Sequence, residues 1–117
     1  MEPLSLFKCL ADDTRLKTVL LIQSQDELCV CELTTALETS QPKVSRHLAQ
    51  LRDCGILTTR RKGQWVYYSI NDALPAWAKT VIAATAENNG NYTAHCCDQL
   101  RRMGDRPQRD REYCETT

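Results

Sequence analysis

Residues 40–57 read SQPKVSRHLAQLRDCGIL, and this stretch decides the fold. With Val44 at the origin of a helical wheel, Leu48 and Leu51 fall beside it as a narrow apolar stripe. Pro42, Lys43, Arg46, Ala49, Gln50 and Asp53 lie broadly opposite, while Gln41, Ser45 and His47 occupy the flanks or the exposed first turn. Thr39 and Ser40 offer hydroxyl caps, Pro42 suits a first helical turn, and Gly55 supplies a stop after Cys54. One reading is an ordinary amphipathic helix with a solvated charged face. The other is a helix whose outward groups (Ser40, Gln41, Lys43, Ser45, Arg46, His47 and Gln50) meet base edges and phosphates.

The flanking residues favour the second reading. Upstream, Leu28–Glu38 reads as a helix carrying Leu33, Ala36 and Leu37, and Glu38-Thr39-Ser40 is a brief connection, which completes a helix-turn-helix pattern. Downstream, ILTTRRKGQWVYYSI at 56–70 places β-branched and aromatic residues on both sides of Lys62-Gly63, the signature of a hairpin. Its tip would present Arg60, Arg61 and Lys62 to DNA as a wing. Pro3–Leu10 reads as a first helix, and Asp12 or Asp13 can cap a second that buries Leu16, Val19 and Leu20. Ser24–Glu27 reads as a loop, and Asn71-Asp72 caps a fifth helix over Ala73–Glu87. The fold class expected is mainly α with a β-hairpin wing (α+β), a winged helix-turn-helix over residues 1–88. After Asn88 periodicity is lost, so 89–117, with Cys96, Cys97 and Cys114, is expected to be a mobile tail.

Composition narrows the function. At 117 residues and 13.3 kDa the chain allows one compact domain. Its net charge is zero, but residues 40–64 hold six basic side chains against Asp53 alone, whereas residues 1–39 hold seven acidic against three basic. A neutral chain with one basic segment has the local footprint expected of a nucleic-acid binder. No apolar run approaches the roughly 20 residues of a membrane span, and Met1–Leu10 lacks a signal-peptide pattern, so a cytoplasmic protein without membrane contact is expected. Seven cysteines, an odd number, fit thiolate chemistry in a reducing compartment better than a disulfide framework. With no glycine-rich phosphate loop, no HExxH and no acid/base pair, an enzyme is not expected.

The string at 40–57, together with LADDTRLKTVLLI, ELCVCEL and RRKGQWVYYSI in the same order, resembles the ArsR/SmtB family of bacterial metal-responsive repressors, and within it the arsenical-resistance repressors. The resemblance covers about residues 4–87. It implies a homodimeric winged-helix repressor that leaves double-stranded operator DNA when a metalloid binds, with no resident cofactor and As(III) or Sb(III) as inducer. It also implies that helices 3–10 and 73–87 pair across the dimer. The apolar surplus around Trp77, Val81 and Ile82 agrees with that pairing.

Under this resemblance Cys29 and Cys31 are the candidate metalloid ligands, since soft thiolates select thiophilic ions. Read without it, a lone C-x-C can equally be two buried small apolar side chains. Residues i and i+2 of a regular α-helix point about 200° apart, so two sulfurs on one guest are expected to need a frayed or unwound helix start. Where related arsenite repressors carry a third cysteine, this chain has Thr34. Three alternatives stand: Cys96 or Cys97 completes the site, a hydroxide fills the position, or the inducer needs only two sulfurs, as a monomethylated arsenical would. Cys9 can instead join the pair across the dimer, as in cadmium- and lead-responsive relatives. Cys54 is expected to be structural. Zinc sensing on the last helix is disfavoured, because residues 73–87 hold no His and only Glu87. A thiol buffer without a DNA role is the competing class, and the reading helix and basic hairpin argue against it.

Overall fold

A computed structural model describes residues 1–104. The chain runs α1 (Pro3–Leu10), α2 (Asp13–Gln25), β1 (Glu27–Cys29), α3 (Val30–Leu37), α4 (Gln41–Asp53), β2 (Leu57–Lys62), β3 (Trp65–Ile70), α5 (Ala76–Asn88) and α6 (Gly90–Arg102). α2 lies at the centre, touching α1, α3, α4, α5 and α6. Its Val19, Leu21 and Ile22 are fully buried, and α4 contributes Val44, Leu48 and Leu51 to the same core. The apolar stripe of the 40–57 segment therefore faces inward as its spacing requires. Among the described residues no helix is long and apolar enough to cross a membrane.

The wing is a hairpin, as the alternation predicts, but its turn falls one residue later than Lys62-Gly63. Lys62 pairs with Trp65, leaving Gly63 and Gln64 as the two-residue loop. Gly63 takes φ +62°, and a two-residue hairpin loop needs such a residue there. The wing is also wider than expected. The segment up to Glu27, read as a loop, leads into a third strand: β1 pairs antiparallel with β3, giving the order β1-β3-β2. Three residues are too few for a period-two signal, so pairing with β3 created this strand. α3 accordingly starts at Val30 and not at Leu28.

Two further boundaries depart from the sequence reading. α5 begins at Ala76 instead of Ala73: Asn71 Oδ1 accepts the Ala73 N–H at 3.0 Å, and Pro75 disfavours helical backbone at Leu74. The expectation of a mobile tail from residue 89 is overturned over Gly90–Arg102, which forms α6 and packs on α2 and α3. Cys96, Leu100 and Met103 are buried at i, i+4 and i+7, a stripe hidden by the polar residues around it. The Asn88-Asn89-Gly90 cluster only separates two helices. Cys114 lies outside the described residues.

Asp12 is the cap of α2, its Oδ2 accepting the Arg15 backbone N–H at 3.0 Å. That hydrogen bond is the main reason its carboxyl is held below the ordinary carboxylate range. A depressed folded-state pKa stabilises above the unfolded value and is lost as pH falls through the folded one. Asp12→Ala is expected to cost about 1 kcal/mol at neutral pH. In thermal melts the gap from wild type should shrink as pH drops below about 4; a constant gap would show that the carboxylate is not the cap.

Candidate nucleic-acid interface and thiol pair

The helix that would read DNA presents Ser40, Gln41, Lys43, Arg46 and Gln50 to solvent, with Ser45 half-buried. Arg15 donates from Nη1 to Gln50 Oε1 at 3.1 Å and from Nε to the Cys9 carbonyl at 2.7 Å, fastening the end of α1 to α4. His47, expected among the DNA contacts, is buried, with Nε2 3.9 Å from Asp12 Oδ2. The apolar stripe is wide enough to take in its ring. In the wing, Arg61 and Lys62 are exposed. Arg60 is exposed but committed: it donates to both carboxylate oxygens of Glu27, at 3.2 and 2.5 Å, and its guanidinium lies 5.5 Å from the centre of the Tyr67 ring.

The sulfurs of Cys29 and Cys31 lie 2.9 Å apart. Their convergence needs no unwinding, contrary to the expectation from helix geometry. Cys29 is the last residue of β1 and caps α3 with extended backbone (φ −96°, ψ 171°), and only Cys31 is helical. The angular argument holds for a continuous helix, and the strand removes its premise. Glu32, fully buried, fixes the junction by accepting the Cys29 N–H at 2.9 Å, one half of a capping box. Trp65 and Tyr67 of the wing pack against the pair, and Cys29 is the strand partner of Tyr67, which also pairs with Arg60. The thiol site therefore shares a sheet with the wing as well as a helix with the turn before α4.

Sequence reasoning missed Glu32, Trp65, Tyr67 and Glu27. The spacing Cys29-x-x-Glu32 is that of a capping box and would have placed the helix start. Nothing local pointed to the other three, whose roles come from strand pairing. Thr34 donates its hydroxyl to the Val30 carbonyl at 2.8 Å. Among the described residues no group of three His, Cys, Asp or Glu side chains is disposed to hold a metal. Cys96 is buried in α6, and desolvation raises its thiol pKa; Cys97 is half-buried. His95 lies 2.5 Å from Glu38 Oε1, and Gln99 donates to the same oxygen at 2.7 Å. Glu38 ends α3 in the left-handed region at φ +52°, so α6 grips the turn of the helix-turn-helix. Burial, and then the neighbouring Cys54 thiol, push the Cys9 thiol up to about 11.

Residues 12–59 match the family described as bacterial regulatory protein, arsR family. The chain is 53% identical over 108 residues to the arsenic resistance transcriptional regulator ArsR1 of Pseudomonas putida, covering 92% of this chain and 84% of that protein. It is 56% identical over 80 residues to the arsenical resistance operon repressor of Escherichia coli, covering 68% of each. Among solved structures it is similar to the AntR antimony-specific transcriptional repressor, at 30% identity and a TM-score of 0.58, over 80% of this chain and 78% of that one.

The wing separates two arginines by their partners. On duplex DNA, Arg61→Ala is expected to reduce the slope of log affinity against log salt by about 0.9. Arg60→Ala should reduce it by less, because its guanidinium is already neutralised by Glu27. Anisotropy titrations across salt concentrations read both, and equal slope changes would refute the distinction.

Proposed function

Because the chain belongs to the ArsR family of bacterial regulatory proteins, we propose that it is a cytoplasmic transcriptional repressor. It holds operator DNA as a homodimer and lets go when trivalent arsenic bonds Cys29 and Cys31. The observation that carries this reading is the thiol pair at the junction of β1 and α3, with sulfurs 2.9 Å apart. The relatives named for arsenic and antimony support the inducer class. Thiolates are soft donors, and a trivalent arsenic centre takes two of them while keeping one substituent of its own.

The switch needs an inducer that binds the DNA-free form better, since a ligand shifts an equilibrium only by its differential affinity. The pair is placed to create such a difference. A guest gripped by Cys29 and Cys31 loads the end of β1, whose partner β3 is a wing strand, and the first turn of α3, which leads through Glu38 into α4. The junction is thus joined, through β3 on one side and through α3 on the other, to both elements that would contact DNA. A coupling of about 1–3 kcal/mol lies in the ordinary range for linked sites. The dimer is supported by exposed Leu4 and Phe7 on α1, 63% and 51% accessible, and by Trp77 on α5. These are large apolar side chains on the two helices expected to pair.

Two variants should fail in opposite ways. Arg46→Ala should weaken operator binding and leave arsenite affinity nearly intact, whereas Cys29→Ser should bind DNA and ignore arsenite. Gel shifts with and without arsenite, alongside ultraviolet titration of As–S bonds, read both; arsenite release of Cys29→Ser as in wild type would overturn the assignment. Thr34 stands one turn after Cys31 on the same helix face. Thr34→Cys is therefore expected to tighten arsenite binding by about tenfold, or about 1.4 kcal/mol, and an unchanged affinity would show that the third position faces elsewhere.

A further inference from the structure

Three nitrogen-bearing side chains converge where the end of α1 meets the reading helix. Lys8 stands in the last turn of α1, Arg15 in the first turn of α2 and Gln50 in the last turn of α4. Together with Cys9 they line a cavity of about 250 Å³ that opens to solvent. Arg15 is half-buried and held from three sides: Nε donates to the Cys9 carbonyl at 2.7 Å, Nη2 to the Lys8 carbonyl at 3.4 Å and Nη1 to Gln50 Oε1 at 3.1 Å. A guanidinium carries more N–H groups than these bonds use, so its plane is fixed while donors remain for a guest. Gln50 spends its oxygen on Arg15 and offers its amide N–H groups. Among the described residues neither Lys8 nor Arg15 has a carboxylate at ion-pair distance. The charge of Arg15 reaches Asp12, but that carboxylate caps α2 and lies 3.9 Å from His47 Nε2. Cys9, raised chiefly by burial, is a neutral thiol at neutral pH and adds no negative charge. The cavity therefore presents donors and positive charge.

We propose that Lys8, Arg15 and Gln50 form a phosphate site for the DNA backbone at the C-terminal end of the reading helix, an assignment that rests on the chain's being a DNA-binding repressor. The free oxygens of a phosphodiester only accept hydrogen bonds and share one negative charge, which complements a pocket of donors. Lys43, Arg46 and Gln50 are exposed at i, i+3 and i+7, so the cavity prolongs the face of α4 that would meet DNA. Gln50 serves phosphate and not a base in this arrangement. Its oxygen is committed to Arg15, and paired recognition of adenine needs that oxygen together with the amide N–H. Because backbone carbonyls already hold Arg15, little side-chain freedom is lost when a phosphate binds. A free anion in so open a cavity is screened by salt, whereas the other contacts of α4 deliver a duplex phosphate to it.

The test is anisotropy of a labelled random-sequence duplex, titrated with the full chain across salt concentrations. Lys8→Gln combined with Arg15→Gln is expected to reduce the slope of log affinity against log salt by about 0.9, the share of one phosphate. An unchanged slope overturns the site, and so does a reduction of about 1.8, which marks two separate contacts. Should the double variant not fold, Lys8→Glu at an exposed position decides. It is expected to weaken duplex binding about fivefold at low salt, and wild-type affinity refutes the site. Inorganic phosphate that raises the melting temperature of wild type but not of Lys8→Glu, with equal duplex affinity in the two, would assign the cavity to a free anion and overturn the DNA contact. Wild type that binds no duplex at low salt overturns the repressor reading and this site together. Wild type that binds with a salt slope the variants preserve overturns this site alone.

Discussion

The backbone changes from extended to helical between Cys29 and Val30, and much of the molecule's arrangement follows from that point. A strand end places the first sulfur and the first turn of a helix places the second, so two residues that a continuous helix would turn apart come together. The buried Glu32 carboxylate stabilises the junction by capping it, where the positive end of the α3 dipole also favours a negative charge. A buried carboxylate without such partners would be costly. The transition therefore builds the thiol pair and anchors the wing with the same residues.

This placement explains how so small a domain can link two surfaces. α3 runs from the thiols to Glu38, where a left-handed residue turns the chain into α4. β1 runs from the same thiols along β3, and Arg60 on β2 reaches back to Glu27 on β1. A strain at the sulfurs has a short path to each element that would touch DNA, through backbone hydrogen bonds and one ion pair, with no long relay of side chains. α6 adds a brace, with His95 and Gln99 meeting Glu38 at the turn. The charge pattern fits this division, because the acidic first third of the chain holds Asp12 and Glu27 against basic or imidazole groups near the DNA-reading elements.

The cysteines sort by environment. Cys29 and Cys31 sit under the wing aromatics, Cys9 in the last turn of α1 and Cys54 at the cap of α4 each lie half-buried against the core, and Cys96 faces the core from α6. The family resemblance distinguished only the first pair. Nothing in the polar run around Cys96 shows that it is buried. In each case the deciding quantity was a contact between elements far apart in the chain.

The sequence by itself determined the winged helix-turn-helix: the Val44–Leu48–Leu51 stripe, the cap at Asp12, and the alternation around Gly63 are local signals, each tied to a periodicity, a hydrogen bond or a backbone angle. Through the family resemblance it also marked Cys29 and Cys31 as candidate metalloid ligands. Tertiary structure alone decided that the two sulfurs lie together, that His47 is buried, that Arg60 is held by Glu27, and that the segment after Asn88 forms a helix. β1 exists because β3 offers it hydrogen bonds, and α6 because α2 and α3 bury its stripe. The physical reason is common to all of them: a three-residue strand, a flanking ring on a helix, and a polar helix with one narrow apolar face are too weak to specify themselves. Each takes its conformation from the surface it meets.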